Sequence, residues 1–139
     1  MKKVIITLSR EYGSGGLAIG QQLAEALGIP FYDKKLLSRA AEESGFSEEM
    51  LRQAESKATN SLLYSLATSL GVGAYGPDTL SLYDKLYLAQ FDMIRKVADE
   101  GSCLIVGRCA DYVLRAEENC YHFFLHAPLE KRMERAVKE

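Results

Sequence analysis

What this chain lacks already narrows what it can be. No apolar run approaches the roughly 20 residues of a membrane-spanning helix, so no membrane partner is expected. Neither sign of charge dominates: the formal net charge is −2 with 26% of residues charged, which gives no reason to expect non-specific binding to nucleic acid or to an anionic surface. Cysteine is scarce and odd in number (Cys103, Cys109 and Cys120) and has no metal-type spacing. Reduced thiols in a cytoplasmic protein fit that pattern better than a disulfide framework. Neither an internal repeat nor a low-complexity segment is present. The basic start, Met1-Lys2-Lys3, leads into an apolar run too short for a signal peptide and reads as a first strand. What remains is an ordinary globular composition, 47% apolar over 139 residues, enough for one domain with a real core.

The most informative stretch runs from Val4 to Gly20. A short β-branched run breaks at Gly13-Ser14-Gly15-Gly16, and an amphipathic helix follows at once. Small residues let successive N–H groups converge on one concavity, and the helix N-terminus adds its partial positive charge, which is how a backbone holds phosphate. Here too something is missing. The usual phosphate-binding loop reads G-x-x-x-x-G-K-[ST]. With Gly15 at its second glycine, Arg10 falls at the first, Gly16 at the lysine and Leu17 at the magnesium-binding hydroxyl. The alternative is a tight strand-to-helix turn whose glycines only permit close packing.

Along the chain, Val4–Leu8 reads as a strand and Gly16–Leu27 as a helix with Ile19, Leu23, Ala26 and Leu27 on one face. Gly28 is its stop, and Pro30 bars continuation. Ile29–Tyr32 is a short second strand ending at Asp33. Lys34–Glu43, Ser47–Lys57 and Thr59–Leu70 read as helices, Gly71–Asp78 as a flexible loop, and Thr79 as the cap of a long helix ending near Glu100. Cys103–Val106 is a continuous apolar strand, Gly107-Arg108 a turn, Ala110–Arg115 a short helix and Tyr121–His126 a further strand. Pro128 opens a last helix at its favoured first position, with Leu129, Met133, Ala136 and Val137 on one face. No stop residue closes that helix, so the expectation is a fragment. Short apolar strands alternating with helices argue for a parallel sheet covered on both faces.

Five segments then add up: Ser9-Arg-Glu-Tyr-Gly-Ser-Gly-Gly16, Phe31-Tyr-Asp33, Ser61-Leu-Leu-Tyr-Ser-Leu66, Ala89-Gln90 with Ile94, and Ile105-Val-Gly-Arg-Cys-Ala-Asp-Tyr-Val-Leu114. Spread in order over nearly the whole chain, they resemble the cytidylate kinase-like family of P-loop phosphotransferases. The resemblance implies a three-layer α/β P-loop kinase fold in a single domain, residues 1–139. Its parallel sheet would have the order 2-3-1-4 with the last strand missing, and residues 44–78 would form a helical acceptor-binding insert. It implies transfer of the γ-phosphoryl group of ATP, with Mg²⁺, to a nucleoside monophosphate, CMP or dCMP first, so nucleotides are the expected partners.

Roles carry over residue by residue. Gly13, Ser14, Gly15 and Gly16 would wrap the donor phosphates. Asp33 stands where related kinases keep an aspartate followed six residues later by a phosphate-binding arginine, here Arg39. Arg108, in the turn after the third strand, would hold an acceptor phosphate by a two-pronged contact. Arg132 and Arg135 would begin the helix leading into a lid that these residues do not include. Mg²⁺ would be held through water and by carboxylates such as Asp33, because Ser14 is the one hydroxyl nearby in the loop.

Three departures stand against this pattern. Gly16 replaces the lysine and Leu17-Ala18 the hydroxyl pair; Arg10 is the nearest cation to substitute, with Lys34 and Lys35 less direct. Cys109 takes the place of an aspartate that Asp111 would have to cover, and Lys34 that of an acceptor-touching serine. Plainer readings exist as well. Asp33 can simply cap the helix beginning at Lys34, Arg39 can sit in a solvated ion pair, and Asp111 can be a helix-start carboxylate. Arg132 and Arg135 alternate with Glu130 and Glu134 as a solvated face would. His122 and His126 have no ligand partners at metal spacing and read as structural. Two rival functions follow: a kinase for another small metabolite, or a non-catalytic nucleotide-binding module. A sheet edge left unpaired at Tyr121–His126 would favour a homo-oligomer.

Overall fold

The computed structural model describes residues 2–33 and 82–138, together with Lys35, Leu36, Arg39, Glu43 and Gly45. The helices expected at Ser47–Lys57 and Thr59–Leu70 and the loop Gly71–Asp78 lie outside the described residues, as does the proposed insert 44–78 apart from Gly45. Two compact units divide the chain: Met1–Leu36 with Phe91–Glu139, and Leu37–Gln90.

The first unit is built on β1 (Ile5–Arg10), α1 (Gly16–Leu27), β2 (Phe31–Tyr32), the end of α2 (Leu82–Glu100), β3 (Cys103–Val106), α3 (Ala110–Val113), β4 (Cys120–Leu125) and α4 (Leu129–Ala136). Four parallel strands lie in the order β2-β3-β1-β4, the order the sequence implied. Ile5 sits between Cys103 and Cys120 in register, and Thr7 between Ile105 and His122. Alternation along the strands sends Ile6, Leu8, Leu104 and Val106 to one face, where Ala24 of α1 packs among them with Leu23 and Phe31 at the margin. The residues between, Ile5, Thr7, Cys103 and Ile105, point to the other face and are fully buried. Among the described residues, the buried apolar side chains outside the first cluster and the strands are Leu36, then Met93, Ile94, Val97 and Ala98 of α2, and Ala110, Val113 and Leu114 at α3, and α3 contacts β1. Each fully buried Ile or Leu contributes roughly 1.5–3 kcal/mol relative to exposure, so this two-faced core fixes the sheet on which the site stands. Thr7 is the buried polar residue of the central strand, and its hydroxyl is bonded to Nδ1 of His122 at 2.7 Å, which gives His122 a structural contact.

Local signals explain most boundaries. Gly28 ends α1 in a left-handed conformation, with its N–H donated to the Glu25 carbonyl and that of Ile29 to the Ala24 carbonyl. Several boundaries differ from expectation, among them the start of β1, at Ile5 rather than Val4, and of β2, at Phe31 rather than Ile29. β1 continues past Leu8 to Arg10 because Ser9 and Arg10 pair with Phe124 and Leu125. β4 starts at Cys120 and stops at Leu125, α3 is one turn only, and Pro128 caps α4 rather than opening it.

Candidate active site

Past the carboxyl ends of β1 and β3 the chain opens a cleft of about 330 Å³, lined among the described residues by Arg10, Leu17, Asp33, Val106 and Arg108. Ligands bind at the carboxyl ends of the strands in sheets of this kind. The three catalytic candidates are therefore brought together. Asp33 follows β2 directly; its Oδ1 accepts the Lys35 N–H at 3.1 Å, so it does cap the next turn, and this occupies one oxygen of the carboxylate. Arg108 reaches the cleft through an unusual backbone. Gly107, Arg108 and Cys109 all have positive φ, at 71°, 57° and 56°. Two non-glycine residues held left-handed cost about 1–2 kcal/mol each, and strain of this sort is concentrated where a side chain must be aimed at a ligand.

The glycine loop leads into Leu17, which lines the same cleft. α1 starts at Gly16, and Gly15 caps it with φ 81° and no side-chain bond. The Ser14 N–H is already donated to the Glu11 carbonyl at 3.2 Å, closing a turn. The Ser14 amide is therefore not free to meet a ligand, whereas the amides of Gly15, Gly16, Leu17 and Ala18 take no partner among the described residues, and the Ile19 N–H is donated to the Gly15 carbonyl at 3.0 Å. Ser14 offers its hydroxyl instead. It is buried, and among the described residues its Oγ is the one buried side-chain polar atom without a hydrogen-bond partner. An orphaned hydroxyl costs about 1–3 kcal/mol, an arrangement that a bound phosphate or hydrated cation would relieve. The loop fits such a group on this observation.

α4 lies directly on the loop, and here its two arginines, Arg132 and Arg135, part company. Nη1 of Arg135 donates to the Gly13 carbonyl at 3.0 Å, and a Cβ built on Gly15 would come within 2.8 Å of the same nitrogen. Arg135 therefore stands over the mouth of the loop. Arg132 turns away into an ion pair: its Nε lies 3.2 Å from Oε2 of Glu11 and donates to the Ala127 carbonyl at 3.0 Å. Oε2 of Glu11 also accepts the Ala127 N–H at 3.2 Å. The sequence reading passed over Glu11. Its one signal was position, a carboxylate beside Arg10 at the head of the glycine cluster.

Arg39 belongs to the second unit, where its Nε pairs with Glu43 at 3.5 Å, the plainer of its two readings. Asp111 is exposed in the first turn of α3 and does not line the cleft. Among the described residues no group of His, Cys, Asp and Glu is placed to hold a metal by itself, and no helix is long and apolar enough to cross a membrane.

This architecture is shared with known kinases. A crystal structure of an uncharacterized protein from Eubacterium ventriosum superposes with a TM-score of 0.65 at 25% identity, covering 98% of this chain and 61% of that one. Shikimate kinase from Acinetobacter baumannii, in complex with shikimate, gives 0.55 at 13% identity over 99% of this chain and 64% of its own. Shikimate kinase from Bacteroides thetaiotaomicron gives 0.56 at 17% identity over 98% and 64%. The chain thus spans a little over three-fifths of the length of these neighbours. Curated proteins give no match. The fold is that of a P-loop kinase. Residues 5–139 match the cytidylate kinase-like family, and the chain belongs to it.

Proposed function

We propose that the protein transfers the γ-phosphoryl group of ATP to a nucleoside monophosphate, with CMP or dCMP as the first acceptor. The observation that carries this reading is the pairing of a glycine loop holding an orphaned Ser14 hydroxyl with a cleft that gathers Arg10, Asp33 and Arg108. Transfer of this kind needs positioning and charge neutralisation rather than covalent chemistry. The amides of Gly15 and Gly16 hold the donor phosphates, and Arg135 lies over them from α4. Arg108 holds the acceptor phosphate with its planar fork. Mg²⁺, held through water by Asp33 and the Ser14 hydroxyl, would neutralise charge on the donor phosphates. The bond from the γ-phosphorus to its bridging oxygen breaks, one to an acceptor phosphate oxygen forms, and ADP leaves.

A second reading keeps the donor and changes the acceptor to another small metabolite. The apolar Leu17 on the cleft wall favours it, since it offers no hydrogen bond to a cytosine ring, as does Cys109 where the resemblance places an aspartate. A coupled assay for ADP formation across CMP, dCMP, the other nucleoside monophosphates and small hydroxylated metabolites decides the matter. Turnover confined to a metabolite without a base establishes the second reading. No ADP with any acceptor removes both, and binding of a non-hydrolysable ATP analogue without turnover identifies a nucleotide-binding module.

A further inference from the structure

The lysine missing from the glycine loop leaves a question that the course of Arg10 answers. Arg10 is the last residue of β1, and its side chain runs across two glycines. A Cβ on Gly16 would lie 2.7 Å from Cβ of Arg10, 2.8 Å from its Cγ and 3.3 Å from its Cδ. A Cβ on Gly107 would lie 2.7 Å from its Nη1. The stem thus fills the space above the start of α1, and the guanidinium ends at the turn that presents Arg108. Among the described residues the Arg10 side chain has neither a hydrogen bond nor an ion pair, although Asp33 lines the same cleft.

Building on the phosphoryl-transfer reading above, we propose that Arg10 supplies from the end of β1 the cation that the usual loop takes from the residue at position 16. Gly16 and Gly107 are glycines because the Arg10 side chain occupies the space over both. The loop has room for one cationic stem. A lysine at position 16 needs the volume that Arg10 fills, so the departure from the usual motif is a relocation of charge, with the pattern read from a different element. An arginine suits the new position, because its fork reaches two phosphoryl oxygens from the far side of the cleft. It contacts the transferring group opposite the loop amides, beside the acceptor held by Arg108.

Two measurements test this. The first is a double-mutant cycle in thermal unfolding. G16A is expected to lower the melting temperature by several degrees in the presence of Arg10 and to be nearly neutral in R10G. Equal effects in the two backgrounds overturn the proposal. The second is calorimetry with tripolyphosphate, a probe that needs no acceptor and no turnover. R10Q is expected to weaken binding about tenfold or more, as loss of a charge-assisted contact does, while R10K retains most of it. R10G/G16K is expected to recover the binding that R10G loses. Equal affinity for wild type and R10Q overturns this proposal and leaves the phosphoryl-transfer reading in place. No tripolyphosphate binding by wild type overturns that reading and the role of Arg10 with it.

Discussion

Gly13 has a φ of 75°, and a Cβ there would overlap the backbone carbonyl of Arg132, so α4 can rest on the loop only if this residue is a glycine. Gly13→Ala forces a left-handed alanine and pushes a helix away. The expected loss is about 1–3 kcal/mol of stability in urea unfolding, together with weakened binding of an ATP analogue. Unchanged stability would mean that α4 does not bear on the loop. Asp33 presents a different case, because it has both a structural duty and a proposed chemical one. Its Oδ1 accepts the Lys35 N–H. An asparagine keeps that acceptor and removes the charge, and the two amino acids are about equal as helix caps. Asp33→Asn is therefore expected to leave the unfolding midpoint unchanged while ADP formation falls on the order of a hundredfold, the usual effect of losing one electrostatic contact to the reacting groups. A parallel loss of both would reduce Asp33 to a cap. Arg108 and Cys109 show what residue-level reading cannot see. Nothing in their identity announces a left-handed backbone, which non-glycine residues adopt only where the surroundings impose it.

Among the elements, what matters most is how the β1–α1 loop is joined to α4. The Glu11 carboxylate takes the Ala127 N–H and the Arg132 guanidinium, both at 3.2 Å, and the Glu11 N–H is donated to the Leu125 carbonyl at 3.0 Å. The glycine loop and the helix that carries Arg135 are thereby fastened at one point. Glu11→Ala is expected to cost about 1 kcal/mol overall, since the pair is partly exposed and solvent screens part of its attraction. Its larger effect should be local. Amides of α4 should exchange hydrogen markedly faster while those of β1 and β3 keep their protection. Uniform protection across α4 in the variant would show that apolar contacts alone hold the helix. The elements themselves were readable. The glycine stop after α1 and the apolar run of β3 both appear where local chemistry put them. Residues meeting across the fold were not. Glu11 and Arg132 stand at opposite ends of the sequence, and a charge at a strand end looks the same whether it is solvated or latched.

At the scale of the whole molecule, the parallel order β2-β3-β1-β4 followed from strand and helix alternation together with the family resemblance. Three residues singled out from the sequence, Arg10, Asp33 and Arg108, line one cleft of the candidate site. Its internal geometry was hidden, because the path of Arg10 over Gly16 and Gly107 exists only once β1 and β3 lie side by side. The same adjacency of strands gives the fold an alkaline weakness. β1 separates Cys103 on β3 from Cys120 on β4, with Ile5 between them in register. Burial first, and the neighbouring Cys120 second, push the Cys103 thiol from 9.0 up to about 11. Burial, reinforced by Glu117, pushes Cys120 from 9.0 to about 11 as well. An unfolded chain gives up both protons near pH 9, whereas the folded chain keeps them to about 11. Above pH 9 the unfolded state therefore binds fewer protons than the native one, and stability must fall as pH rises. The stabilisation from these thiols is complete below pH 9 and is lost between 9 and 11. Guanidinium unfolding at intervals from pH 8 to pH 11 should show that decline. Cys103→Ala lowers stability at every pH through the space it empties, so the readout is the slope. A shallower slope in the variant assigns the decline to the thiol, and an identical slope shows that Cys103 does not carry it.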